Sequence, residues 1–502
     1  DRVTVALESH VARLQASVPT IAHHERPEYL DRLSVLREQV FVLDHMYMSL
    51  FSTLGWILRL AVTIVLLMSI SPVLALLVVF AVPTVLTSSW RPAVERAAHE
   101  RGAAANRLAR HLFTTSTTAS AGKEVRVLGI ADRLVRQRRD AWQRWYAPLA
   151  RARAVSAWWH AGAWAGFGAG YVGAIVFVAS DRAATPGEVL LVLAAGAQLS
   201  AYLSATVGEI GFLRGTWMDG SRRLAWLEDY AASFAATATA PVPPALTTGI
   251  TFDHVSFAYP GSTELALRDV TLSLPAGSVV AIVGENGAGK STLVKLLAKF
   301  YLPTSGRILV DGTDLTTLPT GEWRARMSGA NQDFFRFELP AQHTVGLGDV
   351  DRRDDEASVV AAVGRAGADD VVARLPAGLR TQLGAAWPGG VEISFGQWQK
   401  LALARGFMRE DPLVLVLDEP TAALDAETEH ALFERYAAGA RQHAGNGRVV
   451  ILVSHRFSTV RMADLIVVLD GARVVEFGSH DELIGRGGQY ADLYGLQAAA
   501  YR

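Results

Sequence analysis

Hydrophobic and polar positions give the two halves of the chain different rhythms. From 47 to 69 the sequence is almost continuously apolar, with Leu54, Ile57, Leu60, Val62, Ile64, Leu66 and Leu67, and a run of that length can cross a bilayer. Ser71 and Pro72 interrupt it, and Val73 to Leu86 is apolar again, which predicts a tight turn and a returning span. Two later runs, 158–180 and 187–213, are separated only by the loop Asp181 to Pro186 and bring the expected spans to four. The stretch 88–153 between the second and third spans is polar and carries Arg91, Arg96, Arg101, Arg136, Arg138, Arg139, Arg144, Arg151 and Arg153. Arginine excess beside span ends marks the cytoplasmic side, so both chain ends are expected in the cytosol. Charges placed this way orient a membrane protein and argue against a nucleic-acid partner. Leu108, Leu112, Val125, Leu128 and Leu134 recur loosely, predicting two long helices that leave the membrane and return, with a turn at Thr114 to Ala121.

After the last span the pattern changes. Residues 232–249 are rich in Ala, Thr and Pro and read as a linker between a membrane domain at 1–231 and a soluble domain at 250–502. In the soluble part short β-rich runs, Val279 to Val283, Leu413 to Leu417, Val449 to Val453 and Leu465 to Leu469, alternate with helical segments. That alternation predicts an α/β domain on a largely parallel sheet. Composition agrees with a chain partly in lipid: of 502 residues 50% are apolar and 19% charged, against roughly 25% charged in soluble domains. Mean hydropathy is +0.21. The net charge of −1 gives no global attraction to nucleic acid, and with no Cys the chain has no disulfide, thiolate nucleophile or Cys-bound metal.

Chemistry enters after the strand Val279 to Val283. There Gly284-Glu285-Asn286-Gly287-Ala288-Gly289-Lys290-Ser291-Thr292 fits G-x-x-x-x-G-K-S and opens a helix at Leu293. Glycines let backbone N–H groups curl around phosphates, Lys290 supplies positive charge, and the Ser291 hydroxyl is a ligand for Mg2+. The chain has only five Lys, and such a string arises by chance on the order of once per hundred chains. Asp418 and Glu419 follow the apolar strand Leu413 to Leu417, at the strand end where α/β sheets place ligands. There Asp418 suits the metal and Glu419 suits a general base for the attacking water.

Taken in order across 250–495, these residues resemble the ATP-binding cassette family. Tyr259 in Val255-Ser256-Phe257-Ala258-Tyr259-Pro260 matches the aromatic that stacks on adenine, Gln332 the Q-loop, Asp425 the D-loop and His455 the switch histidine. The signature is altered: Ile393-Ser394-Phe395-Gly396-Gln397 stands in place of LSGGQ, so a phenyl ring replaces the first glycine. The resemblance implies that Glu419, His455 and Gln332 act in catalysis. It places ATP against Tyr259, Gly284, Asn286, Gly287, Gly289, Lys290, Ser291, Thr292, Asp418, Ser394, Gly396, Gln397 and Asp425, and Mg2+ at Ser291, Gln332 and Asp418.

The apolar half resembles ABC exporters, whose half-transporters have six spans fused ahead of the cassette. On that resemblance 1–45 is the cytosolic extension between the second and third spans, and the first two spans are expected upstream of Asp1. Gln332 to Glu338 and Gly396 to Lys400 look most like the lantibiotic and peptide exporter branch. The implied protein is an ATP-driven exporter of an amphipathic cargo, embedded in the cytoplasmic membrane and paired with a second half-transporter. A lipid flippase of the same architecture is the alternative; a soluble ABC ATPase is disfavoured by the spans. Arg59, His160, Gln198, Tyr202 and Glu209 are the polar groups in or near the spans that suit an interior cavity.

Overall fold

The computed structural model describes residues 2–26, 28–30, 32–33, 36, 46–181, 185–213, 218–234, 239–330, 332–418, 447–454 and 456–500. They fall into two compact units, one of 1–11 with 34–226 and one of 12–33 with 227–502.

The first unit is helical. In chain order the helices are α1 (Arg2–Ser17), α2 (Met46–Ile70), α3 (Leu76–Arg101), α4 (Ala103–Thr117), α5 (Ala119–Val127), α6 (Ala131–Ser180), α7 (Pro186–Phe212) and α8 (Met218–Ala232), of which α1 and α8 have residues in both units. Three described helices, α2, α6 and α7, are long and apolar enough to cross a membrane, and Pro72–Thr87 is a shorter apolar helical stretch. The tight turn at Ser71 and Pro72 is a single 3-10 turn, Pro72–Ala75, from which α3 departs. Helix α7 starts on a capping box: Thr185 accepts from the backbone of Glu188, whose carboxylate accepts from the backbone of Thr185.

The polar stretch is built differently from the expected pair of helices. It holds four pieces, the end of α3, α4, α5 and the first half of α6, with breaks at Gly102, at Thr118 within the expected turn, and at Leu128 to Ile130. Helix α6 then runs unbroken for 50 residues, about 75 Å at 1.5 Å per residue, so its polar and apolar portions are one rod that passes Pro148. The spans pack around buried Leu67, Leu74, Leu77, Ala81, Phe167, Val178, Val192 and Leu199. Two glycines permit the close approach: a Cβ on Gly170 would lie 2.6 Å from the Phe80 ring, and one on Gly196 would lie 2.9 Å from Tyr171. Polar side chains pair across helices, as lipid requires. The Thr84 and Ser200 hydroxyls lie 2.9 Å apart. Trp164 Nε1 donates to His160 Nε2, so Nδ1 carries the proton of a neutral ring and donates to Thr87 Oγ1 at 3.1 Å.

The second unit is a two-sheet α/β domain, and the strands expected from the apolar runs all form. Its six-stranded sheet has the order β10-β9-β3-β8-β7-β6, where β3 is Val279–Gly284, β6 Met327–Ala330, β7 Val414–Asp418, β8 Val449–Val453, β9 Leu465–Asp470 and β10 Arg473–Gly478. All neighbours in it are parallel except β10 with β9. A four-stranded antiparallel sheet has the order β2-β1-β4-β5, from β1 (Gly249–Ala258), β2 (Leu265–Pro275), β4 (Ser305–Val310) and β5 (Thr313–Asp314). Strands β3, β7 and β8 are buried throughout, apart from partly buried Gly284, which is why they read as unbroken Val, Ile and Leu rather than alternating patterns.

Two stretches outside the sheets are fastened to this unit. The described part of the linker is docked: Asp311 accepts hydrogen bonds from the backbone N–H groups of Thr247, Thr248 and Gly249, each at 2.8 Å, and from both threonine hydroxyls. Those N–H groups outweigh the upward push of burial and hold the Asp311 carboxyl at about 2. The 12–33 segment is fastened too. Ile21 N donates to Phe300 O at 3.1 Å, Tyr301 Oη donates to Glu25 Oε1 at 2.6 Å, and Arg324 donates to the carbonyl of Pro19.

Candidate nucleotide site

The parallel register gathers the predicted site at one edge of the sheet. In β7, Asp418 pairs with Val453 of β8, and Ile282 of β3 pairs with that same Val453. Ala330 at the end of β6 pairs with Leu417. The loop after β3, Asp418, the residues after Val453 and those after Ala330 therefore leave the sheet at the same C-terminal edge, the place where open α/β sheets bind ligands. Glu419, Asp425 and His455 lie outside the described residues.

The loop after β3 needs its glycines. Gly287 has φ +85 and Gly289 φ +103, and a Cβ on Gly289 would come within 2.6 Å of the Ala266 carbonyl oxygen. Gly289 is the N-cap of α9 (Lys290–Leu297), whose first N–H groups have no intrahelical acceptor and turn into the loop. Lys290 is buried and its Nζ donates to the carbonyls of Gly284 and Glu285, both at 2.9 Å. Ser291 Oγ donates to Asp418 Oδ1 at 3.4 Å, and Asp418 is itself buried. A hydroxyl and a carboxylate this close, beside N–H groups suited to phosphate, form a hard-oxygen donor set that fits Mg2+ shared with a nucleotide.

Tyr259 stands beside this loop. Its Oη and Thr292 Oγ1 are 3.0 Å apart, Lys295 Nζ lies 5.5 Å from its ring centroid, and the Tyr301 ring meets it edge to face at 5.2 Å. Asn286, between the loop glycines, is exposed, and so is Gln332, two residues past the end of β6.

The altered signature is a helix start. Ser394 caps α10 (Phe395–Gly406) in a capping box: Gln397 N donates to Ser394 Oγ at 3.4 Å, and Ser394 N donates to Gln397 Oε1 at 2.8 Å. Gly396 lies within the first turn. Phe395 does not fold over that helix start alone; its ring packs 5.4 Å from Phe334 and lies under the Arg336 guanidinium at 5.5 Å, with half of its surface exposed. The signature helix and the segment after Gln332 are thereby linked through an aromatic contact. Residue types gave no sign of that link, nor of Tyr301 and Glu25, which are 276 positions apart.

Comparisons with known proteins fit this geometry. The ABC transporter family pattern matches residues 267–422. A solved bacterial Atm1-family ABC exporter with ATP bound superimposes with a TM-score of 0.76 at 26% identity, covering 99% of this chain and 85% of that one. The chain therefore carries an ABC transporter domain behind a helical unit and shares the fold of an ABC exporter. Curated relatives include a mitochondrial potassium channel ATP-binding subunit from Pongo abelii, 41% identical over 50% of this chain and 33% of the relative. Others are an ATP-dependent lipid A-core flippase from Alkalilimnicola ehrlichii, 40% identical over 49% of this chain and 40% of the relative, and a putative multidrug export protein from Bacillus subtilis, 38% identical over 50% of this chain and 41% of the relative. The chain thus spans about two fifths or less of the length of these relatives. The ABC transporter domain and the exporter fold match the expectation, whereas these relatives carry mitochondrial, lipid and multidrug names and lend the lantibiotic branch no support.

Proposed function

We propose that this half works as an ATP-driven exporter in the cytoplasmic membrane, moving an amphipathic cargo such as a peptide or natural product, with hydrolysis shared across a dimer. The supporting observation is the contact of Ser291, in the Gly284–Thr292 loop, with Asp418, in a chain whose other unit is built from bilayer-length apolar helices. ATP binds with its phosphates on the loop N–H groups and Lys290, and its adenine on Tyr259. Ser291, Asp418 and Gln332 would hold Mg2+, which would supply neutralisation of the phosphate charge. Glu419 accepts the proton of the attacking water, His455 and Asp425 complete the site, and Ser394, Gly396 and Gln397 face the phosphates of the opposite half. The docked 12–33 segment gives nucleotide-driven motion a mechanical hold through Tyr301 and Glu25.

The test uses the full transporter in proteoliposomes, with ATPase activity and ATP-dependent uptake measured against amphipathic peptides and, separately, fluorescent lipids. Uptake of peptides that requires ATP supports the reading; ATP-driven lipid movement with no peptide uptake assigns the protein as a flippase. The absence of any ATP-dependent movement refutes export.

A further inference from the structure

Within the membrane unit, α2 and α7 run antiparallel along a seam whose contacts pair rising with falling numbers: Ser49 with Glu209, then Trp56 with Tyr202. The partners on each helix are seven residues apart, two turns or about 10 Å, and so share one face. At the Met46 end of this seam is a cavity of about 500 Å3 lined by Met48, Ser49, Ser52, Gly208, Glu209 and Phe212.

Glu209 is the informative group. It is half-buried on a bilayer-length helix, and the buried Ser49 hydroxyl of the neighbouring helix donates to its Oε2. A carboxylate snorkelling to the interface would turn away from the neighbouring helix, whereas this one turns into the seam. Among the described residues no Lys or Arg pairs with it. An ionisable group inside a span is costly unless it meets a partner or a ligand.

The surroundings define that ligand. One carboxylate and the Ser49 and Ser52 hydroxyls are too few oxygens for a hard metal ion, which takes about six. Met48 and Phe212 add apolar walls, and the Trp56 and Tyr202 rings, 5.7 Å apart, continue the surface two turns further in. Beyond them the Arg59 guanidinium sits 5.0 Å over Trp56, which disfavours a second positive charge at that end. We propose that this pocket, with Glu209 as its anion, is a cargo site that takes the head of a singly charged cationic amphiphile, its apolar body lying along Trp56 and Tyr202. The site rests on the exporter reading for its use in transport but not for its binding.

Tetraphenylphosphonium and tetraphenylborate have one shape and opposite charges, so they isolate the role of Glu209. Binding of each to the full transporter in nanodiscs is measured by equilibrium dialysis, net of nanodiscs without protein. The expected result is at least tenfold tighter binding of tetraphenylphosphonium. Glu209→Gln abolishes the preference and Glu209→Asp retains it. Gly208→Leu is a second probe, because the position a Cβ would take there has no atom within 4 Å: it fills the cavity while leaving the carboxylate in place, and is expected to lower tetraphenylphosphonium binding at least tenfold. Equal affinity for the two ions, binding of neither, or a preference that survives Glu209→Gln overturns the assignment. Glu209-dependent binding without ATP-driven uptake of tetraphenylphosphonium into inside-out vesicles leaves the site standing and counts against export instead.

Discussion

The Phe395 ring has a place to rest, and the strength of that resting place sets what its removal does. Its contact with Phe334 is an aromatic pair worth about 0.5–1.5 kcal/mol, and the Arg336 guanidinium adds about 0.5–1 kcal/mol at an exposed site. A total of about 1–2.5 kcal/mol keeps the ring parked about five to seventy times more often than free. When free, it crowds a helix start whose N–H groups bind phosphate best at close approach. Phe395→Gly is therefore expected to raise ATPase turnover, but by less than about twofold, because the ring is already aside most of the time. The sharper perturbation is the double change Phe334→Ala with Arg336→Ala, which removes both contacts and leaves the ring loose. Turnover should then fall severalfold, and adding Phe395→Gly to that background should restore at least the original rate. Steady-state ATPase of the purified transporter at saturating ATP measures all three proteins. If Phe395→Gly lowers turnover, or fails to rescue the double variant, the ring is part of a working interface and the crowding account is wrong. The same series reads stoichiometry: with identical halves both composite sites respond, and with a different partner only one does.

Three further outcomes follow from the nucleotide site and the docked linker. Glu419→Gln keeps the side-chain shape but removes the base, so it should trap ATP in a closed dimer with hydrolysis reduced at least a hundredfold, on the order expected for loss of general-base catalysis; near-normal hydrolysis would sink the assignment. Lys290→Ala removes the charge at the loop mouth and should weaken ATP binding in a fluorescent-nucleotide titration, whereas unchanged affinity would contradict the phosphate-loop reading. Asp311 titrates at about 2 in the folded protein against 3.8 for a free side chain, so the stability it adds is present above pH 3.8 and is lost as pH falls towards 2. Allowing for its partial exposure, that contribution is about 1–2 kcal/mol, and Asp311→Asn should flatten the fall in melting temperature across that pH window.

Sequence alone determined what depends on neighbours along the chain. The glycines of 284–289, the Lys290-Ser291 pair and the following helix are a local string whose backbone geometry each residue type favours, so the phosphate loop was legible before any fold. Strands β3, β7, β8 and β9 were legible because doubly buried strands leave unbroken apolar runs, and the spans because lipid demands length. The signature start was legible as well, since Ser394 and Gln397 form a capping box whatever surrounds them.

Tertiary structure decided what joins distant positions. Nothing in residue spacing told that α6 would run as one rod from the polar stretch into the apolar one, because a charged and an apolar helical segment differ in surroundings and not in backbone preference. The Ala- and Pro-rich stretch before β1 lacks periodicity, yet its described part is held by one carboxylate more than 60 positions away. The same holds for Tyr301 with Glu25, Ser49 with Glu209, and Phe395 with Phe334. Such pairs arise from packing across the fold, and a single sequence records the residue types available for contact but not which of them the chain brings together.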